Sequence, residues 1–474
     1  MNNNIFRLFF LTFSIITALS LSTPAAAQSI DFEDFIRQVL QYSHDLNNAS
    51  NQVYISSQQS ISARSNLLPR INAALNHTWF QKTPELSINI PSIPVYDPVA
   101  VPPQIIGMTP PIDTSFSISS NEITTAQITL IQPVFWGGKI FRNYQIAGIN
   151  ENNSELLFQS VKIKTIQQAV TAYCHYVETE YYLRVALAAE STLADHASQI
   201  RIMVDQGVML ENDYAKSVVF WDNAKLSTEK AYNARSMAMM NLNRMIGSDF
   251  TDTLIIKDSL PLFEIIRIDP RQEQQMVDYG LENRAELLVA ENQIAISEHY
   301  ENITRARFFP DINFTTSFTA MEPNFQMQNQ WETNWSVGIN FSYSLFEGGN
   351  RLSQLHISNA TAEISRENYI NQQELIELEI RQYCDQVNEA ATSIEISRNK
   401  LNTAQENLIL AQNRFHFGTI TNSELLDAHS LKVQCEKDLV EAYVNYTLSV
   451  TNLMASTSLL DLKSLDENIM EVLP

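Results

Sequence analysis

Two long stretches without proline constrain this chain more than anything else in it. Residues 350–417 hold neither Gly nor Pro, and residues 139–206, a stretch of equal length, hold one Gly and no Pro. In the later stretch Ile380, Val387, Ile394, Leu401, Leu408 and Phe415 recur every seventh residue. Tyr383, Ala390, Ser397, Ala404 and Ala411 follow the first five of them by three. This is a coiled-coil seam in which small side chains let a partner backbone approach closely. In the earlier stretch Ile149, Leu156, Ile163, Val170 and Val177 keep the same period. At roughly 1.5 Å per residue, each stretch as one helix is on the order of 100 Å long.

The two stretches are copies of one element. Each begins after a double glycine, Gly137-Gly138 and Gly348-Gly349, and each ends at a single one, Gly207 and Gly418. At Gly418 the chain can adopt positive φ and reverse. All three landmarks recur 211 residues later. Upstream the offset is 241: RSNLLPRIN from Arg64 matches RARFFPDIN from Arg305, and Asp45-Leu46, Asn51 and Ile55 match Glu286-Leu287, Asn292 and Ile296. The first copy therefore carries 30 extra residues between its proline and its double glycine, the difference between the two offsets. Length alone misleads about domain number when one element is used twice.

In chain order, residues 1–27 read as a secretory signal: Arg7, an apolar run from Leu8 to Leu21, and an Ala25-Ala26-Ala27 cleavage site. The first repeat spans 28–247. It holds helices at 30–68, 139–206 and 208–246 and a strand hairpin at about 71–135. Residues 248–270 connect it to the second repeat at 271–458, with helices at 271–309, 350–417 and 419–458 and a hairpin at about 312–345. Residues 459–474 form an acidic tail. The stretch 81–122, with eight prolines between Pro84 and Pro111, reads as an irregular exposed loop.

Strand alternation is clearest in WSVGINFSYSL. Trp335, Val337, Ile339, Phe341, Tyr343 and Leu345 face one way, and Ser336, Gly338, Asn340, Ser342 and Ser344 the other. Such strands of about ten residues suit a boundary between lipid and a watery lumen. A half-buried soluble strand alternates too. Here four strands lie in matched hairpins behind a signal. After the signal no run of 18 apolar residues remains, so a membrane span has to be a barrel of strands.

The chain's chemistry is sparse. Net charge is −22 and no basic cluster occurs, which disfavours nucleic acid as a partner. Cys174, Cys384 and Cys435 have no metal-ligand spacing and read as small buried helix residues. There is no HExxH, GxSxG, GxGxxG or GxxxxGK[ST]. No catalytic constellation, cofactor site or metal site is expected, and the protein is not expected to be an enzyme.

The tips RFHFGTITNSELLDA, from Arg414, and MVDQGVMLENDYAKS, from Met203, flank Gly418 and Gly207. Together with LLPRIN and FFPDIN before the hairpins and QPVFWGG and SLFEGGN after them, they resemble the TolC family of outer membrane efflux proteins. The resemblance covers residues 30–458. It implies a mostly α fold with a transmembrane β-barrel, two repeats of long coiled-coil helices plus β-hairpins, and a homotrimer. Four strands per chain would build a 12-stranded barrel in outer membrane lipid, above a hollow periplasmic α-barrel. Function would be that of a passive exit duct for tripartite efflux or type I secretion in a Gram-negative envelope. Its partners would be a periplasmic adaptor (membrane fusion) protein and an inner-membrane RND, ABC or MFS transporter.

The resemblance also assigns residues. Gly207, Val208, Met209, Gly418, Thr419 and Ile420 would be the adaptor-contacting tips, and Gly137, Gly138, Gly348 and Gly349 the strand-to-helix turns. Glu424, Asp427, Asn212, Asp213 and Phe415 would lie at the periplasmic entrance. Family members that latch the tips shut use a Tyr and an Arg where this chain has Phe415 and Ile420, so apolar packing is expected to replace the polar latch. Two other classes compete: a soluble or peripheral structural coiled coil of the periplasm, and a stand-alone diffusion porin. The first leaves the hairpins and the signal unexplained, and the second has no use for helices of such length.

Overall fold

The computed structural model describes residues 28–461 apart from 84, 118–119, 257–264 and 327. The expected signal, the middle of the expected connector and most of the expected tail lie outside the described residues.

The first repeat runs β1 (Gln28–Ile30), α1 (Phe32–Tyr42), α2 (His44–Ser65), β2 (Arg70–Trp79), β3 (Glu85–Ile90), β4 (Pro94–Tyr96), β5 (Ile105–Met108), β6 (Ile112–Ser117), β7 (Glu122–Phe135), α3 (Lys139–Asp205) and α4 (Glu211–Ile246). After β8 (Leu254–Ile256) the second runs α5 (Pro270–Asn283), α6 (Ala285–Ala306), β9 (Asp311–Glu322), β10 (Glu332–Ser342), α7 (Asn350–His416) and α8 (Asn422–Ser456). The long helices α3 and α7 have 67 residues each, and their starts at Lys139 and Asn350 keep the spacing of the double glycines. Along the seam of α7, Ile380, Val387 and Ile394 are buried, as are Ala390, Ser397, Ala404 and Ala411.

Three expectations are corrected. The expected helix at 30–68 is two helices, broken at Ser43 (ψ 118°), and that at 271–309 is broken at Arg284 (ψ 120°). Ser43 and Arg284 stand at the same offset as Pro69 and Pro310, so the breaks belong to the repeat. Ser43 ends α1 and its Oγ accepts from Leu46 N at 3.2 Å, capping α2. Arg284 instead reaches out, to Glu286 at 3.0 Å, Glu379 at 2.8 Å and the Ser456 carbonyl at 3.0 Å. Second, 81–122 is not irregular throughout: among its described residues β3 pairs with β6 and β4 with β5. Third, β1 and β8 form a parallel pair that no alternation of residues announces.

Chain contacts divide the molecule into two compact units. One takes the described residues up to Asn51, Glu155–Leu288 and those from Ile370 on. Its core holds Phe35, Ile36, Ile166, Tyr173, Leu242, Met276, Ile376, Ile380 and Tyr446, all nearly inaccessible to solvent. Phe32 meets Tyr173 edge-on with ring centroids 4.9 Å apart, and Ile266 N donates to Tyr446 Oη at 2.9 Å.

The other unit, Gln52–Ser154 and Val289–Tyr369, holds the four-stranded sheet. Its four antiparallel strands lie in the order β10-β9-β7-β2. Register places Ile71, Leu130, Thr316 and Val337 in one cross-strand row, and Asn72, Thr129, Ser317 and Ser336 in the next. The polar face is knitted by Ser317 Oγ to Ser336 Oγ at 2.9 Å and Asn340 Nδ2 to Thr315 Oγ1 at 2.9 Å. The apolar face is bare: Ile71, Leu75, Trp79, Trp335, Val337, Ile339 and Phe341 are all more than half exposed. Among the described residues no helix is long and apolar enough to cross a membrane.

Helix packing in this unit shows the repeat at atomic detail. Ser56 and Ser154 meet Oγ to Oγ at 2.6 Å, and Ser297 and Ser365 meet at 2.8 Å. Ser297 follows Ser56 by the offset of the two prolines, and Ser365 follows Ser154 by that of the double glycines. A buried hydroxyl pair lets two backbones come close while satisfying both polar groups.

Candidate functional site: the helix tips and the open sheet

Both tips turn by the same mechanism. Gly207 (φ 76°) and Gly418 (φ 69°) are left-handed, a conformation costly for any residue with a Cβ. Val208 N donates to Met203 O and Thr419 N to Arg414 O, each at 2.9 Å, while the glycine N–H groups donate to Val204 O and Phe415 O. These are paired C-terminal caps that satisfy the last helical carbonyls. Thr421 then opens α8 with a capping box, accepting from Glu424 N at 3.3 Å, while Glu424 Oε2 accepts from Thr421 N at 2.7 Å. Those hydrogen bonds from Thr421, the backbone one foremost, hold the Glu424 carboxyl below the usual carboxylate range. In the first tip Leu210 has no side-chain cap, and Arg201 bridges Asp205 at 3.1 Å and Glu211 at 3.0 Å.

The expected site residues separate into distinct roles. Glu424 and Asp427 are both exposed, but Glu424 also completes the capping box whose cap is Thr421. Asn212 is exposed and Asp213 half-buried. Phe415 packs with Ile420 and Leu408 on a small core of Ala411, Leu425 and Ala428. Gly207, Gly418 and Thr419 are exposed at the turns. Of the apolar tip residues expected to be free, Val208 is 65% exposed, but Met209 and Ile420 are half-buried. Their places on the surface are taken by Leu210, 71% exposed, and Phe417, 77% exposed. Ile420 turns inward because the Phe415 cluster gives it a surface to cover.

A buried polar network near the tips has no signal in the sequence. His196 Nε2 lies 2.7 Å from Asn422 Oδ1. Asn422 Nδ2 donates to Asp213 O and to Ser217 Oγ, both at 2.9 Å. The Phe415 ring lies tilted against His196 with centroids 5.7 Å apart, and Lys216 Nζ donates to Ser423 Oγ at 3.1 Å. The network joins α3 and α4 to α8, so the two tips are held to each other. Burial pushes the His196 imidazole below its ordinary value, outweighing the Asn422 hydrogen bond. His429 is lowered likewise, by burial and then by His196 and Lys432.

The open sheet, in the other unit, is a separate candidate. Its outer strands β2 and β10 each have a partner on one side only. A row of unpaired backbone groups beside an apolar face requires further strands.

Residues 277–458 match the model of the outer membrane efflux protein family. The matched residues cover most of the second repeat. A membrane protein from Pseudomonas aeruginosa is similar at 16% identity over 90% of this chain and 93% of that one, with a TM-score of 0.72. The Campylobacter jejuni CmeC outer membrane channel is similar at 13% identity, covering 93% and 89%, with a TM-score of 0.71. The outer membrane protein VceC of Vibrio cholerae is similar at 14% identity, covering 90% and 95%, with a TM-score of 0.70. No curated protein matches by sequence.

Proposed function

We propose that three copies of this chain form an exit duct through the outer membrane, fed from an inner-membrane transporter through a periplasmic adaptor. The observation that carries this is the four-stranded sheet with both edges open and one apolar face, in a chain with helices of 67 residues. Four strands cannot close, and bacterial single-chain barrels begin at about eight. Three copies give twelve strands, with β2 of one copy pairing with β10 of the next. The apolar face then meets lipid, and the row Asn72, Thr129, Ser317 and Ser336 lines a polar lumen. The duct performs no covalent chemistry; the inner-membrane partner, of the RND, ABC or MFS kind, supplies the energy.

At the periplasmic end the tips form the entrance. Glu424 and Asp427 lie three residues apart on one exposed face of α8, about one helical turn. Leu425 and Leu426 between them are buried. In a trimer this makes a ring of six carboxylates that favours cations. The protein inserted in planar bilayers is expected to conduct with cation selectivity. Glu424→Gln with Asp427→Asn should shift the reversal potential toward zero under a salt gradient, with trimer yield unchanged because Gln still serves a capping box. Failure to conduct contradicts the duct. An unchanged reversal potential contradicts the acidic ring.

A further inference from the structure

Strand pairing continues past the membrane hairpin. Trp79 lies opposite Glu122 at the end of β2–β7, then Glu85 opposite Ser117, Ile90 opposite Ile112, and Pro94 opposite Met108. The turn is closed by Asp97 N donating to Gln104 O at 2.9 Å. The additional length of the first repeat is thus an extension of its hairpin, with prolines placed where a free ribbon edge tolerates them.

The ribbon has two faces. Leu86, Ile88 and Ile90 pair with Phe116, Thr114 and Ile112, while Ser87 and Asn89 pair with Ser115 and Asp113. Asn89 Nδ2 donates to Asp113 Oδ1 across the polar face. On the apolar face Leu86, Ile88, Ile90, Ile112 and Phe116 are between 40% and 54% exposed. Only Glu85, Asp97 and Asp113 are charged in residues 85–117. An apolar face of this kind, left bare, marks an interaction surface.

Lipid is not its partner. The ten residues of β2 already match the roughly 9–11 that a tilted strand needs to cross a bilayer. The ribbon begins only at Glu85, beyond Trp79, so it stands outside the hydrocarbon. The strand order supplies a partner instead. β2 is an edge strand, and in the closed barrel its neighbour is β10 of the next copy. The β9–β10 connection is short and carries Phe325 and Trp331, 63% and 52% exposed. Ribbon and loop rise on either side of the same seam.

We propose that the apolar face of the 85–117 ribbon docks on the β9–β10 loop of the next copy of this chain, over Phe325 and Trp331. The docking rests on the trimeric reading above. It adds to each seam a clasp outside the membrane.

The test uses the full-length protein purified in detergent, with Ile88→Cys and Phe325→Cys in one chain and a short bifunctional thiol reagent. The three native cysteines are buried. Mass in detergent is measured first on the same variant. A trimer that gives two- and three-chain bands in denaturing gels, with neither single variant doing so, supports the docking. A trimer without such bands overturns the docking and leaves the trimer standing. A monomeric mass overturns both. Bands from Ile88→Cys alone overturn it as well, because ribbons would then meet each other. A photoreactive residue at Ile88 that captures lipopolysaccharide or an unrelated protein, and no copy of the chain, also overturns it.

Discussion

His196 on α3 and Asn422 on α8 are 226 residues apart in sequence and meet at 2.7 Å in a buried site. Asn422 turns its other side to Ser217 and to the Asp213 carbonyl. One side chain thus ties the second tip to both helices of the first, so any movement that separates the tips has to break or carry this link.

Replacing Asn422 with Ala leaves His196 Nε2 buried without this partner and removes two further bonds. The expected loss is about 1–3 kcal/mol. Hydrogen exchange at the tips should accelerate, while exchange in the Phe35–Tyr173 core stays unchanged. Unaltered exchange at both places contradicts the tie.

Acid should loosen the same place. His196 and His429 both lie below their ordinary value of 6.5 in the folded protein. The unfolded state therefore binds protons first as pH falls. The stability the neutral rings contribute is complete above 6.5 and is lost as pH drops from 6.5 through their lower folded values. Protease cutting near Gly207 and Gly418 is expected to rise across that window. The double variant His196→Gln, His429→Gln should respond less steeply, and an equal response in both proteins contradicts the assignment.

The strand-to-helix turns are not equivalent, although their sequences match. A Cβ at Gly137 would lie 2.7 Å from Ala306 O and 2.9 Å from Ala306 Cβ, whereas at Gly348 it would meet nothing within 4 Å. Both residues have positive φ. Gly348→Ala should therefore cost about 1–2 kcal/mol from backbone strain alone. Gly137→Ala should cost about 1–3 kcal/mol more from the clash. Thermal midpoints in detergent measure the difference; equal midpoints contradict it.

An adaptor should meet Val208, Leu210 and Phe417, the apolar side chains left open at the tips. Photocrosslinking residues at these positions are expected to capture the adaptor in cells, and residues at Met209 and Ile420 to capture less of it. Capture from the 85–117 ribbon in place of the tips would invert the orientation.

Much of this architecture was legible because it is repeated and periodic. The glycine landmarks and the seven-residue seam located α3 and α7 to within a residue at each end, and alternation found the four strands. The breaks at Ser43 and Arg284 were missed because neither position holds Gly or Pro. The Arg284 break is supported by contacts with Glu379 and Ser456, which lie far away in sequence. The ribbon was read as irregular because its prolines outweighed the alternation of Leu86, Ile88 and Ile90. At the tips, the single glycines located the turns. Local pattern could not show that Ile420 packs beside Phe415, or that His196 meets Asn422, since both depend on helices brought together by the fold.

The central claim is that one chain supplies a third of a barrel. The mass of the protein extracted from outer membranes in mild detergent, corrected for bound detergent, tests it most directly. The account predicts a single species of three chains. A monodisperse monomer that stays soluble would contradict it, since β2 and β10 would then have no strands to pair with.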